Sequence, residues 1–328
     1  MSVFYVGLDN APGYGILDIK KEAMQMTQLS REILEHYQIR KTKKQKEAFI
    51  RLMQAHFPSM QVQEQGFPKC RNLVLGDPEN AKVILGAHYD TCAQLPFPNF
   101  ITPKRPLLSI GYSMLILIPV FCLLFLLNWI LSLFLANPLL QYWITLAIYF
   151  VLLFALLGGP ANKHTANDNT SGVITLLEIY EKLTEEQKQT VCLVFFDNEE
   201  QGLLGSAQFR KCYKKSIKET LMINFDCVSD GDTFLFGISK AANQKYHVAL
   251  SRAYASTAEK QVLLENLKKI YYPSDQAGFP MAVAVAALKF RKPFGYYMDR
   301  IHTKRDTVFQ EENIAYLAEH TVAFIDQI

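Results

Sequence analysis

The sequence predicts an α/β fold: a three-layer sandwich with a mixed, mainly parallel central sheet, interrupted by an inserted hairpin of two transmembrane helices. Three observations predict it. Short runs of β-branched and aromatic residues alternate with amphipathic helical stretches along most of the chain. Several of these runs, Val191 to Phe196 above all, have the composition of buried strands. Between Arg105 and Lys163 there is not one charged residue, which leaves no face for water.

The elements follow in order. Met1 to about Asp18 reads as a loosely defined arm. From Lys20 to His56 the pattern is helical: Leu29, Ile33, Leu34 and Tyr37 recur at helical spacing, as do Phe49, Leu52 and Met53. Pro58 ends this stretch. Strand-like runs follow at Met60 to Gln65, Asn72 to Leu75 and Lys82 to Tyr89, the last running into His88 and Asp90. Two apolar segments come next, Leu107 to Ala136 and Leu139 to Leu157. Each is long enough to cross a hydrocarbon layer roughly 30 Å thick. Ala136, Asn137 and Pro138 make the turn between them, and Tyr112, Trp129, Tyr142 and Trp143 lie near the segment ends, as interfacial aromatics do. Pro119 is tolerable inside a membrane helix. Alternation then resumes. A helix places Val173, Leu176, Leu177 and Tyr180 on one face, and strands fall at Val191 to Phe196, Leu221 to Phe225, Thr233 to Gly237 and Ala282 to Phe290. Helices are expected from Leu203 to Lys214, Gln244 to Ser256 and Glu311 to Ile328. The chain thus divides into a first part of a soluble domain (1–105), the hairpin (106–160) and a second part of the same domain (161–328).

Composition excludes some functions. A net charge of +3 with no basic stripe argues against nucleic acid. The one dense basic run, Arg40 to Lys46, reads as a solvated helix face. Six scattered cysteines form no CxxC pair and no disulfide framework, which suits a reducing compartment. Nothing near Met1 reads as a signal peptide. A two-helix hairpin returns the chain to the side it left. Lys104, Arg105, Lys163 and His164 flank it, so the soluble part is expected in the cytoplasm by the positive-inside rule. An uncharged hairpin provides no ionisable pathway, which argues against a transporter component.

Acidic and histidine residues collect at expected strand ends and helix starts: His88 with Asp90, Asp168, Glu199 with Glu200, Asp226, and His302 with Asp306. Ligands bind at the carboxyl ends of strands in open α/β sheets. Each group alone has an ordinary explanation as a core histidine, a helix cap or a loop polar. Together they supply two imidazoles and three carboxylates with acids to spare, enough for two divalent metals sharing one carboxylate. Oxygen and imidazole donors without thiolate point to two Zn2+ ions, with Mn2+ or Co2+ as substitutes.

These residues lie in the motifs GAHYDT, NDNTSG, DNEEQGLLGS, NFDCV, YPSDQAGF and HTKRDT. In that order they resemble the co-catalytic zinc aminopeptidases of the M28 family, dinuclear metallopeptidases with an α/β fold. The resemblance implies that Asp168 bridges two metals, that His302 and Glu200 complete one site, and that His88 and Asp226 complete the other. It implies that Glu199 is the general base and that Asp90 orients the imidazole of His88. Asp306 would do the same near His302. Tyr272 is a candidate substrate-binding residue, donating to the oxyanion.

Two departures stand out. The family has a short connection where this chain has the hairpin, so the hairpin is expected to emerge near the active-site mouth. Its cleft would then face the bilayer and take hydrophobic or membrane-associated peptides; the plain alternative is a simple anchor. Gln276 stands where the family often has His, at a position of substrate contacts. The rival enzyme class is a glutaminyl cyclase-like acyltransferase, which works with one zinc. A catalytically dead adhesion domain is the non-enzymatic rival, but such domains lose ligands and this chain retains all five.

Overall fold

Nine strands form one sheet in a computed structural model that describes residues 26–328; the arm read over Met1 to Asp18 lies outside the described residues. In chain order the elements are α1 (Gln28–His36), α2 (Lys43–His56), β1 (Gln61–Gln65), β2 (Cys70–Leu75), β3 (Val83–His88), α3 (Pro106–Phe134), α4 (Pro138–Gly158), α5 (Gly172–Lys182), α6 (Glu185–Lys188), β4 (Val191–Phe196), α7 (Leu204–Cys212), β5 (Leu221–Phe225), β6 (Thr233–Ile238), α8 (Lys240–Ala253), β7 (Gln261–Asn266), β8 (Ala282–Arg291), β9 (Gly295–Tyr297) and α9 (Glu311–Ile325). The strand order is β1-β2-β4-β3-β5-β8-β6-β7, with β9 paired to β8 beside this path. The middle of the sheet, β4-β3-β5-β8, is parallel. Antiparallel pairings flank it: β1 with β2 and β2 with β4 on one side, β8 with β6 on the other. Beyond β6 the edge strand β7 runs parallel again.

Side chains alternate across each strand, and that alternation divides the core. Leu85, Leu193, Ile223 and Val283 join one apolar cluster with Leu29, Phe49, Leu176, Leu250 and Leu317, so α1, α2, α5, α8 and α9 cover that face. Ile84, Val194, Met222 and Ala282 face the other way and meet Phe209 of α7. The layers are therefore helix, sheet and helix, as the sequence predicts. Each fully buried Leu, Ile or Phe contributes about 1.5–3 kcal/mol. Ends are set locally. Thr42 and Gln45 form a reciprocal capping box at the start of α2, and the Ser239 hydroxyl accepts from the Ala242 N–H at the start of α8.

The apolar segment forms two long helices that pack on one another. At about 1.5 Å per residue, the 29 residues of α3 and the 21 of α4 give each more than the roughly 30 Å of a hydrocarbon layer. Large apolar side chains such as Phe121, Phe125, Trp143 and Phe154 are exposed along both. Asn137 begins α4, its Oδ1 accepting from the N–H groups of Leu139 and Leu140.

The basic run departs from expectation. Arg40 and Lys46 are buried rather than solvated. Arg40 donates through Nε to the Tyr89 carbonyl (2.5 Å) and through its terminal nitrogens to the Thr170 hydroxyl. Lys46 Nζ lies 2.5 Å from Asp197 Oδ1 and 2.6 Å from Asn198 Oδ1. The run thus ties the N-terminal helices to the ends of β3 and β4. All six cysteines are free.

Candidate metal centre

Three neighbouring parallel strands deliver the candidate side chains at their carboxyl ends. His88 is the last residue of β3, Glu199 and Glu200 follow β4, and Asp226 follows β5. Asp168 lies in the buried turn before α5, and His302 in the loop between β9 and α9. The polar turn is sewn to the loop after β5. Asn167 Oδ1 accepts from the N–H groups of Ser229 (2.7 Å) and Asp230 (3.0 Å). Asn169 Oδ1 accepts from Gly172 and Cys227, and the Ser171 hydroxyl accepts from Val228. A Cβ on Gly172 would lie 2.3 Å from the Phe225 carbonyl oxygen, so only glycine allows this approach.

These elements bring the five expected ligands together. His88 Nε2 is 3.3 Å from Asp168 Oδ1 and 3.5 Å from Asp226 Oδ1. His302 Nε2 is 2.9 Å from Asp168 Oδ2 and 3.3 Å from Glu200 Oε2. One carboxylate therefore faces both imidazoles, an oxygen to each. Glu199 lines the same cavity, whose volume is about 390 Å³.

The supporting residues make bonds beyond those that the sequence implies. His88 Nδ1 meets the backbone carbonyl of Asp90 at 3.0 Å, while the Asp90 carboxylate stands 3.7 Å off. The Asp90 carboxylate instead accepts from the N–H groups of Glu199 (2.9 Å) and Glu200 (3.3 Å). It fixes the Glu pair, and the carbonyl orients the imidazole. Asp306 likewise holds the backbone of Asn167 (2.8 Å) and Asp168 (3.1 Å). Tyr272 donates its hydroxyl to the Asp226 carbonyl at 3.0 Å, which occupies the proton expected for an oxyanion. Gln276 is buried, bonded to Asn224 and to the Tyr272 carbonyl, and serves as scaffold here.

Two neighbours carried no role in the sequence reading. Cys92 lies with Glu200 and His302 in a group whose ligand atoms all fall within 4.8 Å of one another. Its signal was position, four residues past the strand-end His88. Burial first, then Glu200 and Asp168, push its thiol far above the ordinary range. Asp275, inside the quoted YPSDQAGF, is fully buried and pushed up to about 7 by burial, with Asp90 and Asp226 adding to it.

The charges are crowded. Burial raises Glu200 to about 7 against the pull of His302, and raises Asp306 to about 8 with help from Asp168. Burial also raises Glu199, and Glu200, Asp226 and Asp275 reinforce it. Burial opposes a charged His302, but Glu200 and Asp168 overcome it and hold the imidazole up at about 10. Asp168 goes the other way. Burial opposes its charge, yet His302 and His88 hold it below the ordinary carboxylate range. Among the described residues the non-glycine ones with left-handed φ are Asn198, Leu203, Cys227 and His302, all in the motifs of this site. Such positions cost on the order of 1–3 kcal/mol each and gather where function requires them.

The donor set fits a divalent metal. Carboxylates and two imidazoles converge with their free edges on one cavity, and Glu200 Oε1 is buried without a hydrogen-bond partner. Oxygen and nitrogen donors of this kind suit zinc.

Residues 151–324, more than half of the chain, match Peptidase family M28, and they include Asp168, Glu199, Glu200, Asp226 and His302. The chain is 26% identical over 190 residues to a vacuolar membrane protease of Lodderomyces elongisporus, covering 54% of this chain and 18% of that one. It is 28% identical over 165 residues to a probable leucine aminopeptidase of Arthroderma benhamiae, covering 47% and 44%. Each match thus takes in less than half the length of the relative. Among solved structures, the LapA aminopeptidase of Legionella pneumophila superposes with a TM-score of 0.51 at 14% identity, over 92% of this chain and 68% of that one. The glutaminyl cyclase of Porphyromonas gingivalis does so with a TM-score of 0.51 at 17% identity, over 91% and 95%. At these identities the structures share the α/β fold, on which both chemistries occur. With that fold and its strand-end acids and imidazoles, the chain belongs to Peptidase family M28.

Proposed function

We propose that the chain is a membrane-anchored dinuclear zinc peptidase of aminopeptidase type. One observation carries the reading: Asp168 turns one oxygen to His88 and the other to His302. In this reading Asp168 bridges, His88 and Asp226 hold one zinc, and His302 and Glu200 hold the other. Bound zinc supplies an acidified water and a polarised scissile carbonyl. Glu199 takes a proton from the attacking water and delivers it to the leaving amine. Asp90 holds the Glu199 backbone so that this carboxyl stays over the cavity. Similarity to a protein named as a probable leucine aminopeptidase supports removal of single N-terminal residues over cleavage inside a peptide.

Elemental analysis of the purified full chain tests the core of this reading. Two zinc ions per chain are expected, with Mn2+ or Co2+ accepted in their place. One tightly held zinc, together with cyclisation of N-terminal Gln, would support the cyclase reading that the Porphyromonas structure keeps open.

The hairpin, residues 106–160, is proposed to cross the bilayer twice as an insertion between the two parts of the peptidase domain. Exposed apolar surface on α3 and α4 supports it, as does similarity to a protein named as a membrane protease. Lys104, Arg105 and Lys163 at its base favour a cytoplasmic peptidase domain. In a chain whose exposed Cys122 and Cys212 are replaced by serine, a membrane-impermeant maleimide is expected to label Asn137→Cys only from the face opposite the peptidase domain. Labelling from the same face would reject two crossings.

A further inference from the structure

The active-site cavity has a wall built by the inserted helix. Ser109, Ile110, Ser113 and Met114 of α3 line it together with Asp168 and Glu199. These positions are spaced i, i+1, i+4 and i+5, which places them on one face over two turns. Phe100, Ile101, Tyr271 and Ile301 continue the apolar lining around them. Ile110 and Met114 are 48% and 56% exposed, so both have surface left for a ligand to cover.

This wall is fastened on several sides. The Ser109 hydroxyl accepts from the Thr102 N–H at 2.7 Å and pairs with the Thr102 hydroxyl at 2.8 Å. The Tyr112 hydroxyl donates to the Pro98 carbonyl at 2.7 Å, and its ring meets Phe100 edge-on. Arg105 donates to the Pro293 carbonyl, and Ile101 bridges to Met298 beside β9. Tyr271, itself a lining residue, donates its N–H to the Pro103 carbonyl at 2.9 Å. A mere tether would need none of these bonds. They hold the first two turns of α3 at a set distance from Glu199.

We propose that Ile110 and Met114 form the specificity wall of the cleft and select a large apolar side chain, such as Leu, Met or Phe, on the residue that precedes the scissile bond. The inference rests on the peptidase reading above and deepens it. A substrate whose carbonyl sits between Asp168 and Glu199 brings that side chain within reach of the α3 face. A large apolar side chain then packs on Ile110 and Met114 through contacts that an alanine side chain is too short to make. The helix that anchors the protein thereby also chooses its substrate.

The test uses the full chain in detergent and the aminocoumarin amides of Leu and Ala. The readout is the ratio of kcat/KM for Leu to that for Ala within each variant, which is independent of how much protein folds. Ile110→Ser and Met114→Ser are each expected to lower the ratio about tenfold. Met114→Trp, which fills the space, is expected to lower it through loss of the Leu substrate alone. Leu115→Ser, on the same turn but outside the lining, is expected to leave it unchanged. A ratio that moves less than twofold in both serine variants, or as far in Leu115→Ser, overturns the proposal while the peptidase reading stands. Absence of hydrolysis of either amide by the unsubstituted, zinc-loaded chain overturns both.

Discussion

Glu199→Gln is expected to lower kcat by about 10²–10⁴-fold, with zinc content unchanged. The amide has nearly the shape of the carboxylate and loses only its ability to take a proton. Glu199 is suited to that task by its surroundings. Its backbone N–H is held by Asp90 Oδ1 at 2.9 Å, and its side chain opens on the cavity that contains His88, Asp168 and His302. Burial, with Glu200, Asp226 and Asp275 close by, makes its carboxyl more basic than an ordinary one. A base that accepts a proton from water and then returns it to an amine benefits from that shift. Because Glu199 is not among the five proposed ligands, the variant separates proton transfer from metal binding. KM is expected to change little, since the proton is in flight only in the transition state. A kcat within threefold of the unsubstituted chain, at equal zinc content, would remove Glu199 from the chemistry.

Much of this site was legible in the residue order, and the reason is local. Strands β4 and β5 begin and end where composition alone places them, because every residue in both is buried and their apolar runs have sharp ends. His88, Glu199 and Asp226 follow such runs directly, so a strand-end position could be read for each. The edge strand β7 carries no such signal. Its sequence QVLLEN is only partly buried and is short enough to pass for loop. Long-range bonds were equally hidden. That Asp90 reaches the N–H of Glu199, 109 positions away, depends on β3 lying beside β4, which no local pattern states. For the same reason Arg40 and Lys46 looked like a solvated basic face. Their burial is set by carbonyls, hydroxyls and an aspartate contributed from distant strands. The apolar hairpin is legible as a unit, but only the fold brings Ile110 and Met114 to the cavity that the acids line.

Asp168→Asn is expected to have the largest effect on both metal content and rate. An amide has one acceptor oxygen and presents a donor NH2 on its other side. It therefore matches the demand of one imidazole-bearing site and opposes the other, since Oδ1 serves the His88 side and Oδ2 the His302 side. Loss of zinc stoichiometry below two per chain is expected, with kcat/KM down at least about a thousandfold, or about 4 kcal/mol of transition-state stabilisation. Stability gives a second, independent reading. A ligand that binds only the folded chain adds about 2.7 kcal/mol at a hundred times its Kd. In the unsubstituted chain zinc also relieves a buried surplus of carboxylates, in which burial has raised Glu200 to about 7 and Asp306 to about 8. Adding zinc after chelation should therefore raise the Tm of that chain by several degrees and raise the variant's far less. The backbone of the turn should survive, because Asp306 and the loop after β5 hold it through atoms the substitution leaves in place. An Asp168→Asn chain that keeps two zinc ions and the full thermal shift would mean that no carboxylate is shared there, and the dinuclear reading would fail with it.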